Sequence, residues 1–247
     1  MNKTLPLLLL MLLPALSFAQ KKDKKKKLKP DVIITTDFGT IGIILYEDMP
    51  EHRNNFLKLA SEGFYDGTTF HRVMKDFMIQ GGDPNSKSAE TMARAGQGGP
   101  GYTLEADIRP DKFHTKGMLA AARQPDQVNP DRRSSGSQFY IVQGRTFNDK
   151  ELAGMERQIS MSQPQGFKYT DAQKEIYKTK GGTPWLDMGY TIYGEVIYGL
   201  EVVDQIALVE TNRGNRPLKD IKMTMEVKAK FKKAKKKKKK KKKNKKK

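Results

Sequence analysis

The chain contains no cysteine, which excludes disulfides, a lipidated cysteine and a thiol nucleophile at once. Histidine is nearly as scarce, with only His52, His71 and His114 present. No two of them stand at metal-ligand spacing, so a bound metal is not expected. Long apolar runs are missing as well. The one candidate, Leu5 to Leu16, follows Lys3 and leads to the small residues Ser17 and Ala19. It falls short of the roughly 20 residues that a membrane-spanning helix needs. Residues 1–19 therefore read as a cleaved signal peptide, and the expected destination is the periplasm, with secretion as the alternative.

Acidic residues are absent from a whole segment. Lys228 to Lys247 holds 16 Lys and no acid, and Lys21 to Pro30 holds 7 Lys with 1 Asp. These two runs account for the formal charge of +19, because Asp31 to Val227 carries 23 basic and 27 acidic residues, a net of −4. Poly-lysine repels itself and buries no apolar surface, so a basic linker over 20–30 and a tail over 228–247 are expected to be disordered. They are either solvated ends or an electrostatic tether to a polyanion such as lipid headgroups, polysaccharide or nucleic acid. With no aromatic residue among the last fourteen positions, base stacking by the tail is not expected.

The remaining stretch, 31–227, is long enough for one domain with a sizeable core. VIITT and IGIILYED, joined by DFGT through Gly39, predict a hairpin. Pro50, the apolar Phe56, Leu59 and Ala60, and Gly63 as a stop predict a short helix. Short apolar runs punctuated by glycine follow (TTFHRV, FMIQGG, GMLAAA, SQFYIV, YTIYGEV), the pattern of an all-β barrel or sandwich. GLEVVDQIALV puts Val202, Val203 and Ile206 on one helical face, and KDIKMTMEV alternates as a closing strand that would pair with the first. Residues 147–183 break this rhythm. They are polar, carry two helix-like patterns, and place Thr170 and Gln173 at capping-box spacing before a helical segment ending at Gly181. An insertion on the rim is expected, serving as a solvent-exposed embellishment or as a lid or specificity loop.

Several catalytic patterns fail on context. Gly96, Gly98 and Gly101 match the spacing of a dinucleotide loop, but Pro100 and the extended YTLEADIRPD follow where a helix should open. Ser134, Ser135 and Ser137 lack the flanks of a nucleophile elbow. No cofactor is called for. FHRVMKDFMIQGGD, Phe70 to Asp83, is more informative, since alternation along a strand can hold Arg72 and an aromatic ring on one side of a barrel wall while other residues fill the core. Taken alone, Arg72 could equally be a structural ion-pair partner.

That run, followed in order by GQGGPGYTLEAD, HTKGMLAAAR, GSQFYIV and WLDMGYTIYGEV, resembles the cyclophilins over about 31–227, interrupted by the insertion. The resemblance implies a mostly β fold, a closed eight-stranded antiparallel barrel capped by two α-helices, and peptidyl-prolyl cis-trans isomerase activity on proline-containing polypeptides. It implies Arg72 as the catalytic arginine and Gln80 as the residue that positions it. Phe77, Met78 and Leu186 would wall the proline pocket, Ala122 and Gln138 would line the groove, and Trp185 would stand at its edge. Three positions depart from the family pattern: Tyr140 replaces the usual phenylalanine of the pocket floor, Arg123 a common asparagine, and Tyr190 a common histidine. A buried phenol at position 140 needs a polar partner. A closed barrel has no free strand edge to extend, so a monomer is expected. Two other functions stay open: a proline-peptide binding module or holdase without turnover, and a barrel that merely carries the polybasic tails.

Overall fold

The computed structural model describes residues 28–163 and 165–229. The expected signal peptide, most of the basic linker and nearly all of the lysine tail lie outside them.

The chain opens with the hairpin β1 (Val32–Thr36) and β2 (Gly39–Leu45), registered Val32↔Ile43 through Thr36↔Gly39. Gly39 takes the turn at φ +128°, a backbone state that L side chains avoid. Helix α1 (Pro50–Ser61) starts on its proline and buries His52, Phe56, Leu57, Leu59 and Ala60. Then come β3 (Arg72–Met74), β4 (Met78–Gly81), the short β5 (Thr103–Leu104), β6 (Met118–Ala121), the short β7 (Ser134–Ser135) and β8 (Phe139–Val142). Helices α2 (Asp149–Ser160) and α3 (Asp171–Thr179) fill the insertion, and β9 (Ile192–Tyr198), α4 (Leu200–Ala207) and β10 (Thr224–Val227) complete the order. Asn148 caps α2 and Thr170 caps α3, each with a reciprocal capping box.

Eight strands form one antiparallel sheet in the order β10-β1-β2-β9-β6-β8-β4-β3, and β5 pairs only with β7. The closing strand β10 does pair with β1. The expectation of a closed barrel overstates the case, because β3 and β10 share no ladder. The sheet curls until the segments preceding those two strands meet, with Thr69 bridging Lys222, Phe70 N–H donating to Ile221 C=O at 3.0 Å and Met223 N–H to Thr68 C=O at 2.8 Å. The two expected barrel helices are α1 and α4, and the two helix-like patterns of the insertion form α2 and α3.

Side-chain alternation gives the sheet wall two uses. Val73, Ile79, Leu119, Ala121, Phe139 and Ile141 point inward, into a core that includes Phe56, Tyr65 and Phe70. Phe139 meets Phe56 and Tyr65 edge-on at 5.4 and 5.8 Å between centroids, arrangements favoured by the ring quadrupoles. The intervening residues Met78, Ala120, Tyr140 and Val142 point outward into a second apolar cluster, joined by Phe77, Leu186 and Tyr190. The insertion has a third buried cluster of its own, Phe147, Leu152, Ile159, Tyr169 and Tyr177, seated against Phe113 and Trp185. It is therefore packed against the barrel and is more than a solvent-exposed embellishment.

His52 on α1 is buried, with Nε2 3.0 Å from Ser134 Oγ. Burial pulls its pKa down to about 4. Below the ordinary value of about 6.5 the unfolded chain takes up a proton that the folded chain refuses, so stability falls as pH drops from about 6.5 to about 4. The single group is worth on the order of 3 kcal/mol over that window. In His52→Gln, which keeps a hydrogen-bonding group, urea unfolding at a series of pH values should show a shallower loss of stability between pH 6.5 and 4 than the native chain.

Candidate active site

Four neighbouring strands set one row of outward-facing residues. Arg72 lies opposite Gln80 in the β3–β4 register, Gln80 opposite Tyr140 in β4–β8, and Tyr140 opposite Ala120 in β8–β6. The next row is Met74, Met78 and Val142. A cavity of about 500 Å³ opens over these rows. Of the eleven residues expected at the site, Arg72, Phe77, Met78, Gln80, Ala122, Arg123, Tyr140, Leu186 and Tyr190 line it. Gln138 and Trp185 do not. Gln138 lines an adjoining groove of about 700 Å³ that shares Gln80, Ala122 and Arg123 with the cavity. Trp185 stands behind the wall, its ring 5.6 Å from that of Phe77. No described residue of 147–183 lines the cavity.

Arg72 is held by weak polar contacts. Its Nη1 donates to Gln80 Oε1 at 3.3 Å, its Nη2 to Met74 Sδ at 3.3 Å, and its Cζ lies 5.7 Å from the centre of the Phe77 ring. Among the described residues no carboxylate pairs with it, in contrast to Arg53, Arg109, Arg123, Arg145 and Arg216. Gln80 in turn donates from Nε2 to Gln138 Oε1 at 3.1 Å, and Gln138 Nε2 donates to Gly98 C=O at 2.8 Å. A chain of amides thus orients the guanidinium from the groove side.

Asp83 anchors that chain. Fully buried, it accepts from Asn85 N–H at Oδ1 and from Gly96 N–H, Gly98 N–H and Gln138 Nε2 at Oδ2. The tight approach dictates glycine at two places. A Cβ on Gly98 would stand 2.2 Å from Asp83 Oδ1, and Gly82, at φ +85°, would put one 2.4 Å from Ser137 C=O.

The three departures from the family pattern are each accommodated. Tyr140 Oη meets His114 Nε2 at 2.9 Å, which supplies the partner a buried phenol requires. Arg123 pairs with Asp126, donates to Gly189 C=O at 2.8 Å and lies 4.5 Å from the centre of the Tyr190 ring. Tyr190 packs edge-on against Tyr140 at 5.8 Å.

Other residues of the site had no signal of their own. His71, Met92, Asn212 and Arg216 also line the cavity. Asp83 sits inside the motif FMIQGGD but is recognisable as a loop anchor only from its partners. Among the described residues no group of three or more His, Asp or Glu gathers as a metal site would require.

The fold and cavity define a curled β-barrel protein with an arginine standing beside an apolar slot on its outer wall. The family model described as "Cyclophilin type peptidyl-prolyl cis-trans isomerase/CLD" matches residues 31–227. Human peptidyl-prolyl cis-trans isomerase-like 1 is 34% identical over 196 residues, covering 78% of this chain and 89% of that protein. A putative peptidyl-prolyl cis-trans isomerase of Staphylococcus aureus (strain USA300) is 34% identical over 194 residues, covering 77% and 87%. The crystal structure of a cyclophilin type peptidyl-prolyl cis-trans isomerase of Cryptosporidium parvum shares the fold, with a TM-score of 0.57 at 24% identity over 80% of this chain and 96% of that one. This chain belongs to the cyclophilin-type peptidyl-prolyl cis-trans isomerase family.

An amide offers one acceptor oxygen where the Asp83 carboxylate offers two. Asp83→Asn should therefore lose at least one of the loop contacts, at about 1–3 kcal/mol of stability. Hydrogen exchange at the amides of Asn85, Gly96 and Gly98 should accelerate. Native protection at all three would mean that the loop holds without the carboxylate.

Proposed function

We propose that this isomerase acts on X-Pro bonds of exported polypeptides and that Arg72 is its central catalytic side chain. Rotation about an X-Pro bond must cross about 18–20 kcal/mol, because resonance holds the amide planar. No covalent bond breaks, and the two isomers differ by only about 0.5–1 kcal/mol. The catalyst has only to bind the twisted state better than the planar one. In the twisted state the nitrogen becomes pyramidal and its lone pair is released. A guanidinium donating toward that nitrogen and the prolyl carbonyl gains attraction as the twist develops.

The observation that carries this reading is a guanidinium that, among the described residues, has no carboxylate partner and stands beside an apolar slot. Phe77, Met78, Tyr140 and Leu186, which line the cavity, would hold a pyrrolidine ring, and the amides of Gln80 and Gln138 would orient the arginine. One charge-assisted hydrogen bond contributes roughly 1.5–3 kcal/mol, about one to two decades of rate. Holding the ring and the preceding residue in place would supply the rest. The Cryptosporidium parvum relative was also crystallised in the presence of the dipeptide Ala-Pro, a ligand of the class assigned here. A binding module without turnover draws on Tyr140 and Arg123. With the hydroxyl of one turned to His114 and the guanidinium of the other folded onto Tyr190, neither obstructs the slot, which favours the enzyme.

Arg72→Ala should lower kcat/KM on a proline tetrapeptide by at least about tenfold to a hundredfold while the circular dichroism spectrum is unchanged. Retained turnover would remove Arg72 from its role. A native protein that binds the peptide without turning it over would instead establish the module.

The same proposal includes export, from the apolar run Leu5 to Leu16 ahead of Ser17 and Ala19, a monomer, and contact of the lysine runs with a polyanion, for which the concentration of positive charge outside a mildly acidic body speaks. Deleting Lys230 to Lys247, the larger of the two lysine runs, should sharply weaken salt-sensitive binding to anionic lipid vesicles and leave kcat/KM on the tetrapeptide within about twofold. Undiminished vesicle binding would exclude the tether.

A further inference from the structure

Asp187 follows Leu186, a wall of the slot, and its side chain is buried. Four donors converge on it. Oδ1 accepts from His114 backbone N–H at 2.7 Å and lies 2.8 Å from His114 Nδ1, and Oδ2 accepts from the hydroxyls of Tyr169 and Tyr177, each at 2.6 Å. A carboxylate only accepts, so Nδ1 of His114 carries a proton, and in that tautomer Nε2 accepts from Tyr140 Oη at 2.9 Å. Burial pushes the Tyr140 phenol well above its ordinary pKa, so the hydroxyl keeps its proton and donates. Tyr169 and Tyr177 both belong to the insertion, and neither touches the cavity.

We infer that the insertion positions the floor of the proline slot: the hydroxyls of Tyr169 and Tyr177 fix Asp187, Asp187 fixes the tautomer and ring plane of His114, and His114 holds the hydroxyl of Tyr140 away from the slot. The inference rests on the assignment of the cavity as the site of isomerisation. Its logic is that a buried phenol without a partner seeks one. Gln80 lies directly across the ladder from Tyr140 and already binds Arg72. A Tyr140 hydroxyl released from His114 and turned toward Gln80 would draw water into the apolar slot and compete for the amide that orients the guanidinium. Tyr169, Tyr177, Asp187 and His114 are thus positioning residues that act through Tyr140.

A double-mutant cycle tests the linkage. Tyr169→Phe combined with Tyr177→Phe removes two oxygens and leaves both rings in the insertion core. In the native background this pair should lower kcat/KM on an Ala-Pro tetrapeptide roughly tenfold. In a Tyr140→Phe background, where no hydroxyl remains to be held, it should change kcat/KM by less than about twofold. A structural weakening of the insertion would produce the same loss in both backgrounds. Equal losses, or no loss in the native background, would overturn the inference. If the double variant fails to fold, Tyr177→Phe alone, which leaves Tyr169 on Oδ2, runs through the same cycle with the same two criteria. Arg72→Ala measured alongside separates the two levels: full activity in that variant removes the slot assignment itself, whereas loss of activity there with additive tyrosine effects removes only the insertion's part.

Discussion

The structure depends on the antiparallel register that sets Arg72 opposite Gln80, Gln80 opposite Tyr140 and Tyr140 opposite Ala120. With a side-chain period of two, a slip by one residue on any of these strands would exchange its core set for its site set. Val73, Ile79, Ile141 and Leu119 would then face solvent, and a guanidinium and an amide would be driven into a core ringed by Phe56, Tyr65 and Phe139. The core therefore enforces the site. Burying the inner face specifies the register, and the register brings the charged and the apolar half of one slot together from the β3–β4 hairpin and the more distant strands β6 and β8.

This explains why so much of the fold could be read from local signals. The β1–β2 hairpin, α1, the buried face of α4 and the capping box at Thr170 each depend on residues a few positions apart, where turn chemistry and periodicity act directly. The strand alternation in FHRVMKDFMIQGGD allows Arg72 to stand apart from the core but leaves a structural ion pair equally open. The slot as a whole came from the resemblance to the cyclophilins, since no periodicity connects Arg72 to Leu186. Closure of the barrel was read too far. With only three residues in β3 and four in β10, the edges meet through the segments preceding them. His114 and Asp187 escaped because they lie 73 residues apart, and a pair at that distance leaves no trace in spacing. Asn212 and Arg216 reach the cavity from a loop after α4, where neither helix nor strand periodicity operates.

The insertion shows how polarity averaged over a segment can mislead. Residues 147–183 look solvated because their apolar side chains are spread across two helices and the loop between them. Once folded, those side chains gather into a cluster around Tyr177 that seats against Phe113 and Trp185. Where that cluster meets the barrel, the Asp187 carboxylate is taken out of water. An isolated buried charge would be costly, and it is tolerable only where its lone pairs are used. The four donors to Asp187 fill the acceptor capacity of a carboxylate. Two of them come from the insertion and two from the barrel, so the polar requirement of one buried group ties the two parts together.

The contrast between Asp187 and Arg72 follows from what each charge is for. Asp187 is saturated, and its field is spent on neighbours that do not change during a reaction. Among the described residues, the guanidinium of Arg72 meets an amide oxygen, a thioether and the face of a ring, none of which carries a net charge. In the proposed mechanism, a carboxylate at Arg72, of the kind that pairs with Arg109 or Arg216, would offset the guanidinium's field where the imide nitrogen would develop its lone pair. Preorganised dipoles stabilise a transition state best when they are held in place by groups that do not neutralise them. Gln80 meets that condition, because it fixes direction with an uncharged oxygen. The Asp83 carboxylate in turn bonds Gln138 and the Gly96 and Gly98 amides, so it steadies the glutamine chain without pairing with the arginine. The site thus combines an anion that organises the loop, amides that relay orientation and a cation left uncompensated at the slot, and the electrostatic argument for catalysis requires that order.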